Sequence, residues 1–579
     1  NASFSFYSVE DVQAAALNVA ATIQQDYDKL LAVFGSAPLS DAQIPCNGGD
    51  GAIDIYVTRV GLGEKAQVMP YLPGECARPG WMWVAPDAVL NDRVARNIIG
   101  HELVHLFQLK VARQNCGEWR YNILDEATAS WAFDHLYKGD DYEHQFAVGD
   151  GAYFDGTRGE WHESILYGHG VGAFACNGYC DYPFFEWLDR KYGPQAIKNI
   201  IEATGGASAQ RAFEVGLGGI GGGLEQLWPK FALAMWNDYE NHVADEWHGW
   251  EPRMAGAGLK KGYVQAENHF IEAKLDGAPK ADLKQALINL TRGDLDPMTM
   301  EYVQIKFTDD KVTLVKLEPR GDVLHGMYPR VRLQALQKID GQWKPVEDWS
   351  NKHEVKYCRD KKAERIQELV LIWSNSHAGD AAFERDPPMV VGLFDDDSKL
   401  PKFDISNASC MPWHGTTRVT ITGDEGGRIV FTANVTFKEF VVPGEEPPDD
   451  TGLFPKTFVP ESGTATAVSD WPVGGCRQKV DFVSGPIGEL DGYLGISFET
   501  RIVTGVGIST LQGPTNHTLE CPGEDPLVVP GPTASSWLIM PAPGFPLGDD
   551  GRTIKGSHTI TGQGQTTVSE WDLSAQREE

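Results

Sequence analysis

The sequence predicts an α+β protein of several domains, with a largely helical N-terminal part followed by β-rich domains of the sandwich type. Three observations lead to this fold class. Residues 9–34 carry apolar side chains at helical spacing, and further helical stretches follow. From about residue 265 the apolar residues alternate along the chain instead, as they do in strands. The chain also has 579 residues, whereas a single domain usually holds about 100–200.

The first predicted helix spans residues 9–34. Ser8 with Asp11 resembles an N-terminal cap, and Gly35 ends the periodic run. The residues that form its apolar face are Val12, Ala16, Val19, Ile23, Tyr27, Leu30 and Phe34.

Two short strands and a series of helices follow this first helix. Residues 51–60 alternate, and residues 81–84 lie between Gly80 and Pro86, which favours a strand in each place. The predicted helices are 90–111, 122–137, 183–192, 194–203 and 222–243. Residues 1–255 are therefore predicted to form one α+β unit that becomes mostly helical.

The remainder of the chain reads as β structure. A β-rich accessory region is predicted for residues 265–442, in which the apolar run 368–373 is expected to be a buried strand. Residues 443–450 have the composition of a linker, rich in Pro, Gly and acidic residues. Residues 451–579 are predicted to be a further β-sandwich or barrel, because they are rich in Gly, Pro and Thr with short alternating runs.

Charge and hydropathy exclude several classes of function. The formal net charge of −31 argues against nucleic acid and anionic membrane surfaces as partners, and it is most simply explained by solubility. No run of 18 apolar residues is present, so no transmembrane helix is predicted. The N-terminal residues lack the pattern of a signal peptide, which leaves a cytosolic protein or one whose signal has been removed.

The cysteines favour a secreted protein. None of the nine forms a CxxC pair, which argues against a cysteine zinc knuckle, and most fall into couples close in sequence. Disulfides require an oxidising compartment, so we expect an extracellular, periplasmic or cell-surface location; scattered thiols in a cytosolic protein are the alternative. The pairs expected from proximity are Cys46–Cys76, Cys176–Cys180, Cys358–Cys410 and Cys476–Cys521, with Cys116 left over.

The sequence His101-Glu102-Leu103-Val104-His105 is an HExxH motif within a predicted helix. The spacing i, i+4 puts both imidazoles on one face of the helix, one turn apart, so that both can reach one metal ion. Glu102 lies beside that face, where its carboxylate can act as general base towards water.

A third ligand is predicted on the next helix. Catalytic zinc usually takes three protein ligands, and Glu126 lies near the start of the helix predicted at 122–137. An antiparallel return of the chain would bring it beside the two histidines. The alternatives to Glu126 are Asp125, Asp134 and Glu163.

The motif and the downstream Glu resemble the gluzincin metallopeptidases, the relatives of thermolysin and the membrane alanyl aminopeptidases. The match covers His101, Glu102, His105 and Glu126, and the resemblance implies a zincin-like catalytic domain with one catalytic Zn²⁺. The longer metzincin motif, the aspzincin motif and the Gly-x-Met-Glu-Asn motif of the aminopeptidases are missing. Residues 81–84 could take the edge-strand position that pairs with an extended peptide. We therefore expect an endopeptidase.

The resemblance also implies a Tyr or His that stabilises the oxyanion of the transition state. Tyr179 and Tyr182 precede a predicted helix, as the catalytic Tyr does in the aminopeptidases, while Tyr167 and His169 are rivals. Ser130 replaces the Asp that gluzincins place four residues after the Glu ligand, and Asp134 could orient a histidine from one turn further on.

The function expected from these residues is hydrolysis of a protein or peptide substrate by a secreted zinc metallopeptidase. One alternative is a catalytically inactive zincin scaffold whose β domains bind glycans or a cell surface, and another is a zincin that cleaves a non-peptide bond. Two acidic clusters could bind Ca²⁺, but both lack EF-hand spacing, which favours solvated turns. These clusters are Asp395 to Asp397, and Asp549 with Asp550.

Overall fold

The computed structural model shows a protein of mixed helices and sheets, which agrees with the predicted α+β class. It describes residues 8–576 with internal gaps. The gaps are residues 46, 59–64, 73–74, 114–118, 141, 144–177, 236–269, 276–297, 379–401, 407–409, 440–455, 487–491, 498–501, 511–514, 532–535, 541–544 and 550.

The N-terminal region is mostly helical. Its first helix has the predicted bounds: the Ser8 and Asp11 side chains form a reciprocal capping box, and Gly35 ends the helix at φ 75°. The helices are α1 (Val9–Phe34), α2 (Pro86–Val89), α3 (Asp92–Gln108), α4 (Trp119–Leu136), α5 (Tyr182–Tyr192), α6 (Gln195–Ala203), α7 (Ala209–Leu217) and α8 (Leu224–Met235). Helices α2 and α7 were not predicted, and residues 236–243 of the last predicted helix lie outside the described residues.

A three-stranded sheet lies beside these helices, in the order β1-β3-β2. Its strands are β1 (Ile55–Val57), β2 (Ala66–Pro70) and β3 (Gly80–Val84). The strand predicted at 51–60 is shorter than expected. The predicted edge position of residues 81–84 is wrong, because β3 pairs with β1 on one side and with β2 on the other. Of the described strands, β2 is an edge of this sheet, and it was not predicted from the sequence.

The middle of the chain forms two sheets. One has the order β4-β5-β11-β7-β8, with β9 paired to β7, and the other has the order β10-β6-β12. The predicted buried strand is central in the larger sheet, since β11 pairs with both β5 and β7. The bounds are β4 (Phe270–Glu272), β5 (Thr299–Lys306), β6 (Leu314–Glu318), β7 (Val331–Ile339), β8 (Gln342–Trp343), β9 (Glu347–Asp348), β10 (Val355–Cys358), β11 (Ile366–Asn375) and β12 (Lys402–Ser406), with helix α9 (Gly321–Met327) between β6 and β7.

The helical region and this larger sheet share one hydrophobic core. Val370 and Ile372 on β11 belong to the same buried cluster as Trp228 of α8, whereas Leu369 and Leu371 face a second cluster on the other side of the sheet. This is the alternation of a strand buried on both faces. The packing therefore crosses the predicted boundary between residues 255 and 265.

The C-terminal strands form a 12-stranded sheet in which every described pairing is antiparallel. The predicted linker 443–450 lies outside the described residues, but β14 before it pairs with β15 after it. The described sheet thus includes strands from both sides of that linker. Its strands are β13 (Trp413–Gly423), β14 (Arg428–Glu439), β15 (Lys456–Val473), β16 (Cys476–Pro486), β17 (Gly492–Ser497), β18 (Ile502–Thr510), β19 (Thr515–Glu520), β20 (Leu527–Gly531), β21 (Ser536–Met540), β22 (Phe545–Pro546), β23 (Thr553–Gly562) and β24 (Gln565–Ala575).

Two of the predicted disulfides are present, Cys358–Cys410 and Cys476–Cys521. Cys76 is also disulfide-bonded, whereas Cys46, Cys116 and Cys176 lie outside the described residues.

In the part of the chain that the structure describes, no helix has the length and apolar character needed to cross a membrane.

Candidate metal centre

Helix α3 presents two histidines towards the adjacent helix α4. Asn91 caps its N-terminus by accepting hydrogen bonds from the backbone N–H groups of Arg93 and Val94. The helix is buried along much of its length, and a Cβ added at Gly100 would meet the side chain of Leu136 at 2.5 Å. Glycine at this position lets Leu136 of α4 pack directly against the backbone of α3.

Three predicted ligands converge between α3 and α4. His101 Nε2 lies 3.2 Å from Glu126 Oε2 and 3.2 Å from His105 Nε2. The remaining distance, from His105 Nε2 to Glu126 Oε2, is 3.6 Å. In the described part of the chain, these residues form the one group of His, Cys, Asp or Glu side chains arranged so that they could hold a metal ion.

The geometry of this group fits a tetrahedral ion. Ligand atoms that lie about 2.0–2.2 Å from a tetrahedral zinc ion are separated from one another by about 3.3–3.6 Å. The observed separations of 3.2 to 3.6 Å are close to this range. Two imidazoles and one carboxylate are also a donor set that zinc takes in catalytic sites. Other divalent transition metals accept the same donors.

Gln108 holds both sides of this centre. Its Oε1 lies 2.7 Å from His105 Nδ1, so it can accept a hydrogen bond that leaves Nε2 free for a metal. Its Nε2 donates to the backbone carbonyl of Asp125, 3.0 Å away, and to the Thr128 hydroxyl, 2.8 Å away. One buried side chain therefore orients a histidine on α3 and fixes the turn of α4 that carries Glu126.

The alternative ligand Asp125 is engaged elsewhere. Both of its carboxylate oxygens accept hydrogen bonds from Arg113, at 2.6 and 2.5 Å. Asp134, another alternative, lies 3.5 Å from Arg190. Glu163 lies outside the described residues. Among the acids that can be compared, Glu126 is the one placed beside both histidines.

Aromatic rings hold His101 from both sides. The Phe133 ring stacks on it at 5.2 Å with an interplanar angle of 16°, and the Tyr179 ring at 5.3 Å with an angle of 4°. The imidazole is therefore fixed by packing, which preorganises the centre. This contact was not predicted, because Phe133 gives no signal beyond that of an ordinary core residue.

Glu102 is buried beside the two histidines and close to strand β2. Burial raises the pKa of its carboxyl group, while the histidines and a hydrogen bond from the Val68 backbone N–H oppose that rise. Val68 lies in β2, so this edge strand runs past the carboxylate. A buried carboxylate with a raised pKa is suited to accept a proton.

The charges of the three ligands reinforce one another. Burial lowers the pKa of His105, but the carboxylates of Glu126 and Glu102 outweigh this and raise it to about 10. Burial likewise raises the pKa of Glu126, but His105 and His101 outweigh this and hold it well below its usual range. A metal ion bound here would therefore compete with a proton for His105.

Tyr179 reaches the centre from the short 3₁₀ turn before α5. Its hydroxyl is hydrogen-bonded to Glu126; burial, followed by the carboxylates of Glu126 and Glu102, raises its pKa. Tyr182 is fully buried at the start of α5. A buried hydroxyl is poorly placed to meet a substrate, which favours Tyr179. Their rivals Tyr167 and His169 lie outside the described residues, as do Asp395 to Asp397 of the acidic clusters.

Comparison of the chain with protein-family models, with curated proteins and with solved structures gives no match. The functional interpretation therefore rests on the geometry of the centre and on its four-residue resemblance to the gluzincins.

Proposed function

We propose that this chain is a zinc-dependent metallopeptidase, in which His101, His105 and Glu126 hold the metal ion and Glu102 is the general base. The observation that carries the proposal is the convergence of two histidine Nε2 atoms and a Glu126 oxygen within 3.6 Å, with a buried glutamate alongside. A zinc ion bound there would act as a Lewis acid that polarises the scissile carbonyl and activates water.

The residues of the chain have separate roles in this proposal. Glu102 accepts the proton of the attacking water and can return it to the departing nitrogen. The Tyr179 hydroxyl donates a hydrogen bond to the oxyanion as it forms. The carboxylate of Glu126 keeps that hydroxyl within the centre until a substrate competes for it.

The location of strand β2 favours an endopeptidase. It is an edge strand, and it passes directly beside Glu102. An extended peptide that added to such an edge would lie across the general base, with chain continuing in both directions. The disulfides Cys358–Cys410 and Cys476–Cys521 fit the extracellular location that this proposal assumes.

Elemental analysis and a peptide library test the proposal together. We expect about one zinc ion per chain. We also expect cleavage within peptides that stops on chelation and returns when zinc is added. A protein that hydrolyses peptides fully without any transition metal would refute the proposal. Zinc binding with no hydrolysis would instead favour the inactive scaffold, against which the retained Glu102 argues.

A further inference from the structure

The loop between α1 and β1 brings two aspartates to one end of the three-stranded sheet. Asp41 lies near the start of this loop, and Asp54 is the residue before β1. Tyr71 follows β2 at the same end of the sheet, and its hydroxyl donates to Asp54 Oδ2 at 2.6 Å. None of these residues takes part in the metal centre described above.

Asp41 is a buried acid with no cationic side chain paired to it among the residues that the structure describes. Its residue is 3% exposed, and neither carboxylate oxygen has a hydrogen-bond partner among the described residues. In that part of the chain neither Asp41 nor Asp54 forms an ion pair with a Lys or Arg. Burying a carboxylate costs free energy unless a positive charge or a hydrogen-bond donor accompanies it.

Both aspartates face the same tyrosine hydroxyl. Burial and then the carboxylates of Asp54 and Asp41 raise the pKa of Tyr71. The hydroxyl has one proton, and it is already donated to Asp54. Asp41 therefore lies beside a hydroxyl whose proton is already donated to a second carboxylate, an arrangement that a cation would stabilise.

We propose that Asp41 and Asp54 bind a calcium ion. The side-chain donors are all oxygen atoms, which hard cations prefer and which argue against zinc at this position. The loop is rich in glycine, and its backbone at Gly48 passes so close to Asp54 that a Cβ there would clash with the carboxylate. Main-chain carbonyls and water can complete an irregular calcium shell, whereas magnesium requires a near-ideal octahedron.

The ion would fasten a long loop onto the sheet that carries β2. Asp41 lies in the loop that follows α1, and Asp54 leads directly into β1. With only two side-chain carboxylates, the expected Kd is about 10⁻⁴–10⁻³ M, the range of extracellular calcium modules. This proposal is independent of the proposed peptidase activity.

Terbium luminescence on the full-length protein tests the site. Tyr71 and Tyr56 both lie within hydrogen-bonding distance of Asp54, and Tyr56 contacts Trp81 at 5.4 Å between ring centroids, so bound Tb³⁺ would be sensitised by nearby aromatic rings. We expect saturable emission that millimolar Ca²⁺ displaces and Mg²⁺ does not. Asp41→Asn and Asp54→Asn should abolish that component, while the exposed Asp87→Asn should keep it. Equal emission from all four proteins would overturn the proposal.

The Tm of Asp41→Asn gives a second test, because the variant should melt below wild type if calcium binds and above it if no cation binds. If calcium binds, the wild-type Tm rises with added Ca²⁺, and the variant loses this rise and melts below wild type in Ca²⁺. If no cation binds, the variant has lost an uncompensated buried charge, so it should melt above wild type at every calcium concentration. The second result would overturn the proposal.

Discussion

The helical region and the C-terminal sheet bury different kinds of side chain. Around α3 and α4 the fully or nearly buried residues include His101, Glu102 and Gln108, whereas the buried polar residues described between β13 and β24 are Thr417, Ser497 and Ser569. Burying charged or strongly polar groups is unfavourable unless they are paired. Function is therefore expected where several polar side chains are buried close together, as around α3 and α4. The core of the C-terminal sheet, by contrast, consists of apolar side chains.

The largest effect expected from this difference is at Glu102. The Glu102→Gln substitution keeps the size of the side chain but removes the base, so turnover should fall by about 10²–10⁴-fold or more while zinc stays bound. Peptide hydrolysis and zinc content, measured on the same preparation, check this. Near-normal turnover in Glu102→Gln would show that the buried polar residues around α3 and α4 do not act in catalysis.

Glu126→Ala tests whether the cluster is a metal centre. It removes a ligand, so zinc affinity should fall by more than the roughly 10–100-fold typical of residues that only orient ligands. Activity should partly recover at high zinc. Competition with a chelator measures the affinity, and Asp134→Asn is the control because Asp134 lies beside Arg190. Unchanged affinity in Glu126→Ala would show that another residue is the third ligand.

A buried acid on α1, Asp26, tests how far the polar character of the helical region extends. Burial raises the pKa of Asp26 to about 6, although Tyr137 donates a hydrogen bond to it at 2.5 Å. Between about pH 4 and pH 6, the Asp26 carboxyl group is therefore protonated in the folded protein and ionised in the unfolded chain. The contribution of Asp26 is most favourable below about pH 4 and declines by roughly 3 kcal/mol as the pH rises to about 6.

Asp26→Asn should abolish that decline, because an amide does not titrate. Urea unfolding of both proteins between these pH values provides the comparison, since other carboxyl groups contribute equally to each. Parallel curves for the two proteins would mean that Asp26 keeps its ordinary pKa.

Gln108→Leu should weaken zinc binding by about 10–100-fold, since it removes the acceptor of His105 and the donor to α4. Gln108→Glu separates the two roles, because a carboxylate still accepts from His105 but cannot donate to the Asp125 carbonyl. We expect Gln108→Glu to retain more affinity than Gln108→Leu, as measured by chelator competition. If both variants bind zinc as tightly as wild type, Gln108 contributes to packing and does not support the metal site.

The smallest effect is expected when the C-terminal sheet is removed. A chain ending at residue 412 keeps Cys410 for its disulfide with Cys358 and loses every strand of that sheet. It also frees Asp360, which pairs with Arg552 at 2.6 Å. Hydrolysis of a short peptide should be nearly unchanged. Loss of activity in a truncated protein that retains its helical circular dichroism would show that the sheet takes part in catalysis.

Several features could be predicted from sequence because they depend on local geometry or on a short span of chain. The bounds of α1 follow from helical periodicity with the Ser8 cap and Gly35. The disulfides Cys358–Cys410 and Cys476–Cys521 follow from proximity. Strand β2 was missed, since it is short, ends in Pro70, and is defined mainly by its pairing with β3.

The sequence by itself determined that the imidazoles of His101 and His105 lie on one face of a helix, because the spacing i, i+4 has this result in any α-helix. It also predicted Glu126 as the third ligand, with Asp125, Asp134 and Glu163 as alternatives. Only the tertiary structure shows how their surroundings differ, since Arg113 and Arg190 reach Asp125 and Asp134 from elsewhere in the chain, whereas Glu126 lies beside both histidines. The same holds for Asp41: its burial without a partner arises from contacts between distant segments, and no local pattern encodes it.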